Sequence, residues 1–157
     1  MEYTITEMHP DHPHWGRLLE AAAALGEMET RRITLQAGHF LSSHILVALS
    51  GSEPLGYLRF IVQRLGEDEN RPLVTYQGQV LQEAKVIGFA VAPEQRNRGI
   101  GRSLQQEAIR RARALGCYQL RSRSHYRHAA NHHLKIALGF AIQPSLEDDS
   151  LYFVMKL

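Results

Sequence analysis

A chain of 157 residues, 44 % of them hydrophobic and 22 % charged, has the length of one domain with a sizeable core. No apolar run approaches the ~20 residues that span a bilayer, and Met1-Glu2-Tyr3-Thr4 lacks the charged and apolar regions of a secretory leader, so a soluble cytoplasmic protein without membrane contact is expected. The net charge of +2 hides an asymmetry: residues 1–82 carry 6 Lys/Arg against 10 Asp/Glu and residues 83–157 carry 12 against 6, which makes the C-terminal half the anion-facing one.

Tyr3 to Met8 alternates as a first strand. His9-Pro10-Asp11-His12-Pro13-His14 breaks it; three histidines and an aspartate invite a metal, but two prolines before an apolar helical pattern are more simply a helix start. Trp15, Leu18, Leu19, Ala22 and Leu25 share one helix face, closed by Gly26, and a second short helix is expected from Glu29 to Ala37, ending at Gly38. Glu27, Glu29, Arg31 and Arg32 around it either select a substrate or face water, and water is the simpler account of each. His44 to Leu49 and Leu55 to Val62 are expected as a hairpin about the turn Ser50-Gly51-Ser52-Glu53-Pro54. Arg64 to Pro72 reads as a solvated acidic loop, and Leu73 to Leu81 as strand-like residues that lengthen the hairpin, interrupted by Gly78.

Ala84 to Val91 is an apolar strand that ends before Pro93, whose missing N–H stops ladder pairing. Ile100, Leu104, Ala108, Ala112 and Leu115 then recur at helical spacing until Gly116. Tyr118 to Ser124 is the next strand; the intervening helix is the crossover a parallel pair needs. Arg121 and Arg123 fall on one face of that strand, expected open to solvent, substrate or partner, and Leu120 and Ser122 on the other. His125 to His133 leads into a last helix ending at Leu138-Gly139; His128 and His132 are four apart, but no further ligand pair is near, and no metal is expected. Cys117, the single cysteine, excludes an intramolecular disulfide and reads as a small buried residue. Repeats and linkers are absent, so residues 1–157 are expected as one domain.

The junction Val91-Ala92-Pro93-Glu94-Gln95-Arg96-Asn97-Arg98-Gly99-Ile100-Gly101-Arg102-Ser103 organises the chain. A strand, a glycine turn and a helix start make an anion site, because the first N–H groups of a helix lack intrahelical partners and sit at the positive end of its dipole. Gly99 and Gly101 allow close approach, and Arg96, Arg98 and Arg102 add fixed positive charge. Nine arginines against two acids between Glu94 and Arg127 also raise nucleic acid as a ligand. Arg110, Arg111 and Arg113 lie mostly on the polar side of the helix, however, so a solvated face is the simpler account and nucleic acid is not the expected partner.

This segment resembles motif A of the GCN5-related N-acetyltransferases, in which Gln or Arg, two residues, Gly, one residue and Gly or Ala follow one another: Arg96, Gly99 and Gly101 match. Leu138-Gly139-Phe140 and the run Leu151 to Leu157 after Glu147-Asp148-Asp149 are similar to the same family's C-terminal half, and the resemblance is specific from Glu83 onward. It implies an α/β (α+β) fold: a mixed sheet of six to seven strands, splayed between the fourth and fifth, with about four helices. It implies acetyl-CoA as cosubstrate, held by Phe89, Ala90, Val91, Arg96, Asn97, Arg98, Gly99, Ile100, Gly101, Arg102 and Ser103, with Asn131 and His133 as neighbours. The implied reaction is acetyl transfer to a primary amine, on a small molecule or peptide, by direct attack on the thioester; such proteins often dimerise.

Two positions depart from the pattern. Lys85 stands where the family often has a glutamate base, leaving Glu83, two residues earlier on the same strand face, as the candidate, with a solvated strand end as the simpler account of it. Lys135 stands where a tyrosine frequently protonates the thiolate; lysine can protonate or stabilise it, and Ser124 and Tyr126 are the nearest other hydroxyls. These departures keep open a non-catalytic acyl-CoA-binding or regulatory module, beside another acyl group or an O- or S-linked acceptor.

Overall fold

The computed structural model describes residues 2–36 and 39–157. In chain order the elements are β1 (Thr4–Met8), α1 (Trp15–Leu25), α2 (Glu27–Thr34), β2 (Ser42–Ser50), β3 (Glu53–Arg64), β4 (Thr75–Tyr76), β5 (Gln79–Val80), β6 (Gln82–Val91), α3 (Ile100–Ala114), β7 (Gln119–His125), α4 (Ala129–Ala137), β8 (Ala141–Pro144) and β9 (Ser150–Lys156). Seven strands form one mixed sheet in the order β1-β2-β3-β6-β7-β9-β8, with β4 and β5 as a separate two-stranded ribbon. Strand alternation sends Leu46, Leu58, Phe60, Ala84, Val86 and Leu120 to the face covered by α3. On the other face Met8, Ile45, Val47 and Tyr57 pack with Leu18 and Ala22 of α1 and Ile33 of α2. Among the described residues no helix is long and apolar enough to cross a membrane.

The expected splay is present. β6 and β7 run parallel, but pair only from Glu83–Gln119 to Val86–Ser122, although β6 continues to Val91 and β7 to His125. The register of β3 on β6 slips at the same level, Arg59 facing Gly88 and Phe60 facing Val86, so Ile87 is an extra, bulged residue. A bulge bends its strand and increases local twist, which turns the rest of β6 away from β7.

Six expectations are corrected. α2 begins at Glu27 and ends at Thr34: the acids Glu27 and Glu29 in its first turn and Arg31 and Arg32 in its last suit the dipole, and Leu35 is extended (φ −54°, ψ 128°). The expected end at Ala37 and Gly38 lies outside the described residues. Leu73 to Leu81 does not lengthen the main hairpin but turns on itself at Gln77-Gly78 as β4 and β5. The acidic loop before it is not merely solvated, since Asp68 and Glu69 dock onto Lys85 and Arg121. Arg121 is therefore buried rather than open, whereas Arg123 is exposed and bonds Asp148. Glu83, for which a solvated strand end was the simple reading, is 1 % exposed. Leu115, assigned to the buried stripe of the long helix, is exposed past its end. The short strand β8 goes unannounced by the sequence; it forms the sheet edge next to β9.

Gly56, in β3, lies against β6 where the strand enters the glycine turn. A Cβ there would sit 2.9 Å from the Ala90 carbonyl oxygen and 3.2 Å from Val91 Cα, both backbone atoms that cannot rotate away. Gly56→Ala is expected to destabilise the fold by about 1–3 kcal/mol, read as a lowered urea midpoint with unchanged slope; an unchanged midpoint contradicts this packing.

Candidate active site

The end of β6 is anchored by Ala92 N–H donating to Leu55 O (2.9 Å). One turn of 3-10 helix, Pro93–Gln95, follows, and the chain then passes through left-handed Asn97 (φ 63°) and Gly99 (φ 82°) into α3. Gly99 caps α3 without any side-chain hydrogen bond, and the first N–H returned to it is that of Ser103 (3.0 Å). The N–H groups of Ile100, Gly101 and Arg102 are thus left facing out of the helix end. Ile100 is buried beneath them. A Cβ on Gly101 would meet Phe89 Cζ at 3.1 Å, so this glycine lets α3 lie close on the splayed part of β6.

Arg96, Asn97, Arg98 and Arg102 surround the turn and are exposed. Arg96 Nε donates to Val91 O (3.2 Å) and Arg98 to Gln95 Oε1 (3.2 Å), and among the described residues none of the three arginines has a carboxylate partner. The cationic turn is uncompensated. Ser103 differs from its neighbours, because its hydroxyl is bonded to the Tyr3 hydroxyl (2.8 Å) and its N–H is used within α3.

Phe89, Ala90 and Val91 lie beyond the last β6–β7 pair, so the backbone edge they turn toward β7 has no strand partner. Opposite, β7 and α4 bring together Lys135, Ser122, Ser124 and His132. Lys135 Nζ donates to Ser122 Oγ (2.6 Å) at the level where the strands part, and lies 4.8 Å from the centre of the Phe153 ring. Its ammonium is buried, and burial pulls its pKa down to about 8. Ser124 Oγ is 3.1 Å from His132 Nε2, and burial holds the His132 pKa below its usual value, with the Lys135 charge acting in the same direction. His132 was considered in the sequence only as a metal ligand; its link to Ser124 depends on how α4 lies on β7, which spacing along one helix does not reveal. Among the described residues no group of three or more His, Cys, Asp or Glu side chains converges as a metal site.

The residues present fit a CoA-like ligand on three counts. The α3 N-terminus is uncapped, the flanking arginines are free of acids, and Asn131 Oδ1 on α4 is buried without a hydrogen-bond partner.

Glu83 lies on the paired side of the fork, away from Phe89 to Val91. Its carboxylate accepts from Gln63 (2.9 Å), Gln119 (2.8 Å) and Arg121 (2.7 and 3.2 Å). Arg121 also reaches Asp68 (3.0 Å) and Glu69 (3.0 Å), and Asp68 reaches Lys85 (2.6 Å). Burial opposes the Arg121 charge, but Glu83 and Asp68 outweigh it and raise its pKa; burial likewise opposes the Asp68 charge, and Lys85 and Arg121 outweigh it. A cavity of about 430 Å³ on this side is lined by Glu83, Arg121, Gln119, Tyr152 and the 145–147 turn. On the α1–α2 side Glu29 is not a simple surface acid: it accepts from the Tyr57 hydroxyl and from Arg32 (2.6 Å). A Cβ on Gly88 would come within 2.9 Å of Tyr57 Oη, so this group presses on the splayed strand.

A model of the acetyltransferase (GNAT) family matches residues 9–140. A search of curated proteins gives no significant match. Among solved structures, Arabidopsis thaliana NAA60 in complex with acetyl-CoA superposes with a TM-score of 0.74 at 14 % identity, covering 99 % of each chain. The GNAT domain of S. lividans PAT gives 0.73 at 18 %, covering 99 % of this chain and 90 % of that one. The ribosomal-protein-S18-alanine N-acetyltransferase of Escherichia coli gives 0.62 at 20 %, covering 99 % and 93 %. At these identities the likeness concerns the fold.

The buried ammonium has a consequence for stability. Its folded pKa of about 8 lies below the ordinary 10.5, so between these values the unfolded chain binds a proton that the folded chain has lost, and stability rises with pH across that window. Below pH 8 the full cost of the buried charge remains. Lys135→Met is expected to be more stable than wild type at pH 7, by up to about 3 kcal/mol, with the gap closing by pH 10; denaturant unfolding at both pH values measures it, and a gap independent of pH contradicts the assignment.

Proposed function

Since the chain belongs to the acetyltransferase (GNAT) family, we propose that it is an acyl-CoA-dependent N-acyltransferase that moves an acetyl group to a primary amine of a small molecule or peptide. One observation carries this reading: β6 and β7 cease pairing after Val86–Ser122 immediately beside an uncapped, arginine-flanked helix N-terminus. A polar edge and an anion site are thus joined in one groove. Acetyl-CoA, when bound, supplies an acyl group already activated as a thioester. The structure of the Arabidopsis thaliana protein with acetyl-CoA supports acetyl as the group.

The N–H groups of Ile100, Gly101 and Arg102 take the pyrophosphate oxygens, and Arg96, Arg98 and Arg102 offset the remaining charge. The free edge of Phe89 to Val91 offers backbone donors and acceptors to an amide-bearing arm, and an N–H there polarises the acyl carbonyl. Asn131 Oδ1 accepts from the same arm. Ile100 and Ser103 support the turn from behind, Ile100 by packing in the core and Ser103 by its bond to Tyr3.

For the proton chemistry, Glu83 acts in this reading as the counter-ion of Arg121, because both its oxygens are already engaged. Lys135 and Ser124 border the fork from the β7 side and serve the leaving sulfur. A bound amine is oriented from the α1–α2 side, where Glu29 and Tyr57 meet Gly88. The gain expected from such positioning is large, since alignment of two reactants removes much of the entropic barrier.

Thermal unfolding with acetyl-CoA tests the reading. At a hundred times its dissociation constant the ligand is expected to stabilise the protein by about 2.7 kcal/mol. Gly99→Asp is expected to fold, as a Cβ there meets nothing within 4 Å and Asp tolerates positive φ, but its carboxylate caps the free N–H groups and repels phosphate. Loss of the acetyl-CoA response in this variant supports the cradle; no response in wild type, or an equal response in both, overturns it.

A further inference from the structure

The cavity of about 430 Å³ beside the closed end of the fork has no part in the chemistry described so far. Strand alternation fixes the sheet face on which it lies. Ala84 of β6, Leu120 of β7 and Phe153 of β9 pack into the core under α3. Their neighbours Glu83, Gln119, Arg121, Tyr152 and Val154 therefore point to the opposite face, the one that α1 and α2 also cover, and form the cavity floor. One wall is the excursion after β3, through Leu65, Pro72 and Val74; the other is the turn between β8 and β9, through Pro144 and Leu146. This is the face from which the amine is oriented in the reading above. Arg121 stands one residue before the last β6–β7 pair and Gln119 three residues before it. At about 3.3 Å per residue, the floor runs back from the fork over about 3–10 Å.

The ions in the cavity are already engaged with one another. Arg121 bonds Glu83, Asp68 and Glu69, and the second oxygen of Glu69 takes Arg71 (2.8 Å). Glu147, the remaining carboxylate of the lining, is exposed at the lip. A second ammonium or carboxylate entering here would lose its water without gaining a free partner inside. What the cavity offers instead is apolar. Leu65, Pro72, Val74, Leu146, Val154 and the Tyr152 ring surround it, with the amides of Gln119 and Gln143 among them. Both lips carry an uncovered apolar side chain, Val74 at 41 % and Leu146 at 96 % exposure. The volume lies within the range of small-molecule sites.

We propose that this cavity is a specificity subsite of the acceptor, taking a large uncharged apolar group carried about 3–10 Å behind the amine nitrogen that reaches the fork. The inference rests on the acyl-CoA reading above and deepens it by naming the acceptor class: hydrophobic primary amines, either free or as the N-terminus of a peptide with an apolar residue next in line. Leu65, Val74, Leu146 and Val154 determine specificity, because they supply apolar contact from both walls and from the floor. Diamines and amino acids are disfavoured.

Steady-state acetylation by the full-length protein tests this, comparing phenylbutylamine with butylamine and diaminobutane, and Gly-Phe amide with Gly-Lys amide. The group that fills the cavity is expected to raise kcat/KM at least about tenfold over its partner in the series, chiefly through KM. Preference for phenylbutylamine supports a free amine as acceptor, and preference confined to the Gly-Phe amide a peptide. Val74→Trp, which fills the cavity from an exposed wall, is expected to bring the preferred ratio close to one while the thermal shift with acetyl-CoA persists. Without any turnover, the methyl NMR signals of Leu65, Val74, Leu146 and Val154 are expected to move on titration with phenylbutylamine and to stay in place with butylamine. Equal turnover of all acceptors, preference for the diamine, or unmoved methyl signals overturn the subsite while leaving the acyl-CoA reading intact. Methyl signals that move in a protein that acetylates no amine overturn the acyl-CoA reading and leave the cavity an apolar binding site. The wild-type series decides the matter even if the variant does not fold.

Discussion

The parting of β6 from β7 is the constraint on which the rest of the structure depends. Two parallel strands left alone would go on pairing; here a buried clasp holds them together at one end and a bulge forces them apart at the other. Glu83 of β6 binds Gln119 and Arg121 of β7 and Gln63 of β3, so three neighbouring strands meet on one carboxylate. Asp68 and Glu69 of the β3–β6 excursion close over Arg121 from outside. The pairing ends at Val86, and Ile87, four residues after Glu83, bulges. Removing one partner from a buried pair of this kind typically costs about 3–5 kcal/mol, because the other charge is then left buried and unpaired.

The two sides of the fork carry different chemistry. Toward the turn, positive potential comes from helix geometry and from arginines without acids, suited to a multiply charged anion that must bind and leave. Toward Ser122 a single ammonium is buried against one hydroxyl and the Phe153 ring, with no carboxylate among the described residues at ion-pair distance, and a charge held so is expensive. Arginines farther along α3 are handled differently again: Arg110 and Arg111 bond Glu107, whose pKa is held near 2, first by its hydrogen bond to Arg110. That local pairing offsets part of the positive charge of the arginine-rich stretch.

Much of this is legible in the amino-acid sequence, and the boundary is physical. The glycine turn, α3 and the strands on either side announce themselves because their signals are local: a positive φ at Gly99, a missing N–H at Pro93, an apolar residue every three or four positions. Cys117 is buried as its place after a helix end suggested, and burial pushes its thiol up to about 11. What stayed hidden was long-range. Glu83 finds Arg121 at a separation of 38 residues, Asp68 finds Arg121 at 53, and Tyr57 finds Glu29 at 28. A polar residue on a strand looks solvated until its partner is known, so Glu83, Arg121 and Glu29 were all read as more exposed than they are. Hairpin limits were set short for a related reason: Pro54 lies inside β3, tolerated because Leu55 is bulged out of the β2 register there. The substitution of lysine at position 135 was visible, but its isolation was not, because that depends on what β7 and β9 place around it.

Amide hydrogen exchange with and without acetyl-CoA tests the central claim, that one ligand occupies both the free edge of β6 and the end of α3. The account predicts simultaneous added protection at residues 87–91 and at the N–H groups of Ile100, Gly101 and Arg102, with little change at Glu83 to Val86, where β6 already pairs with β7. Protection confined to the arginine face of α3, or present at the helix end without β6, would contradict it.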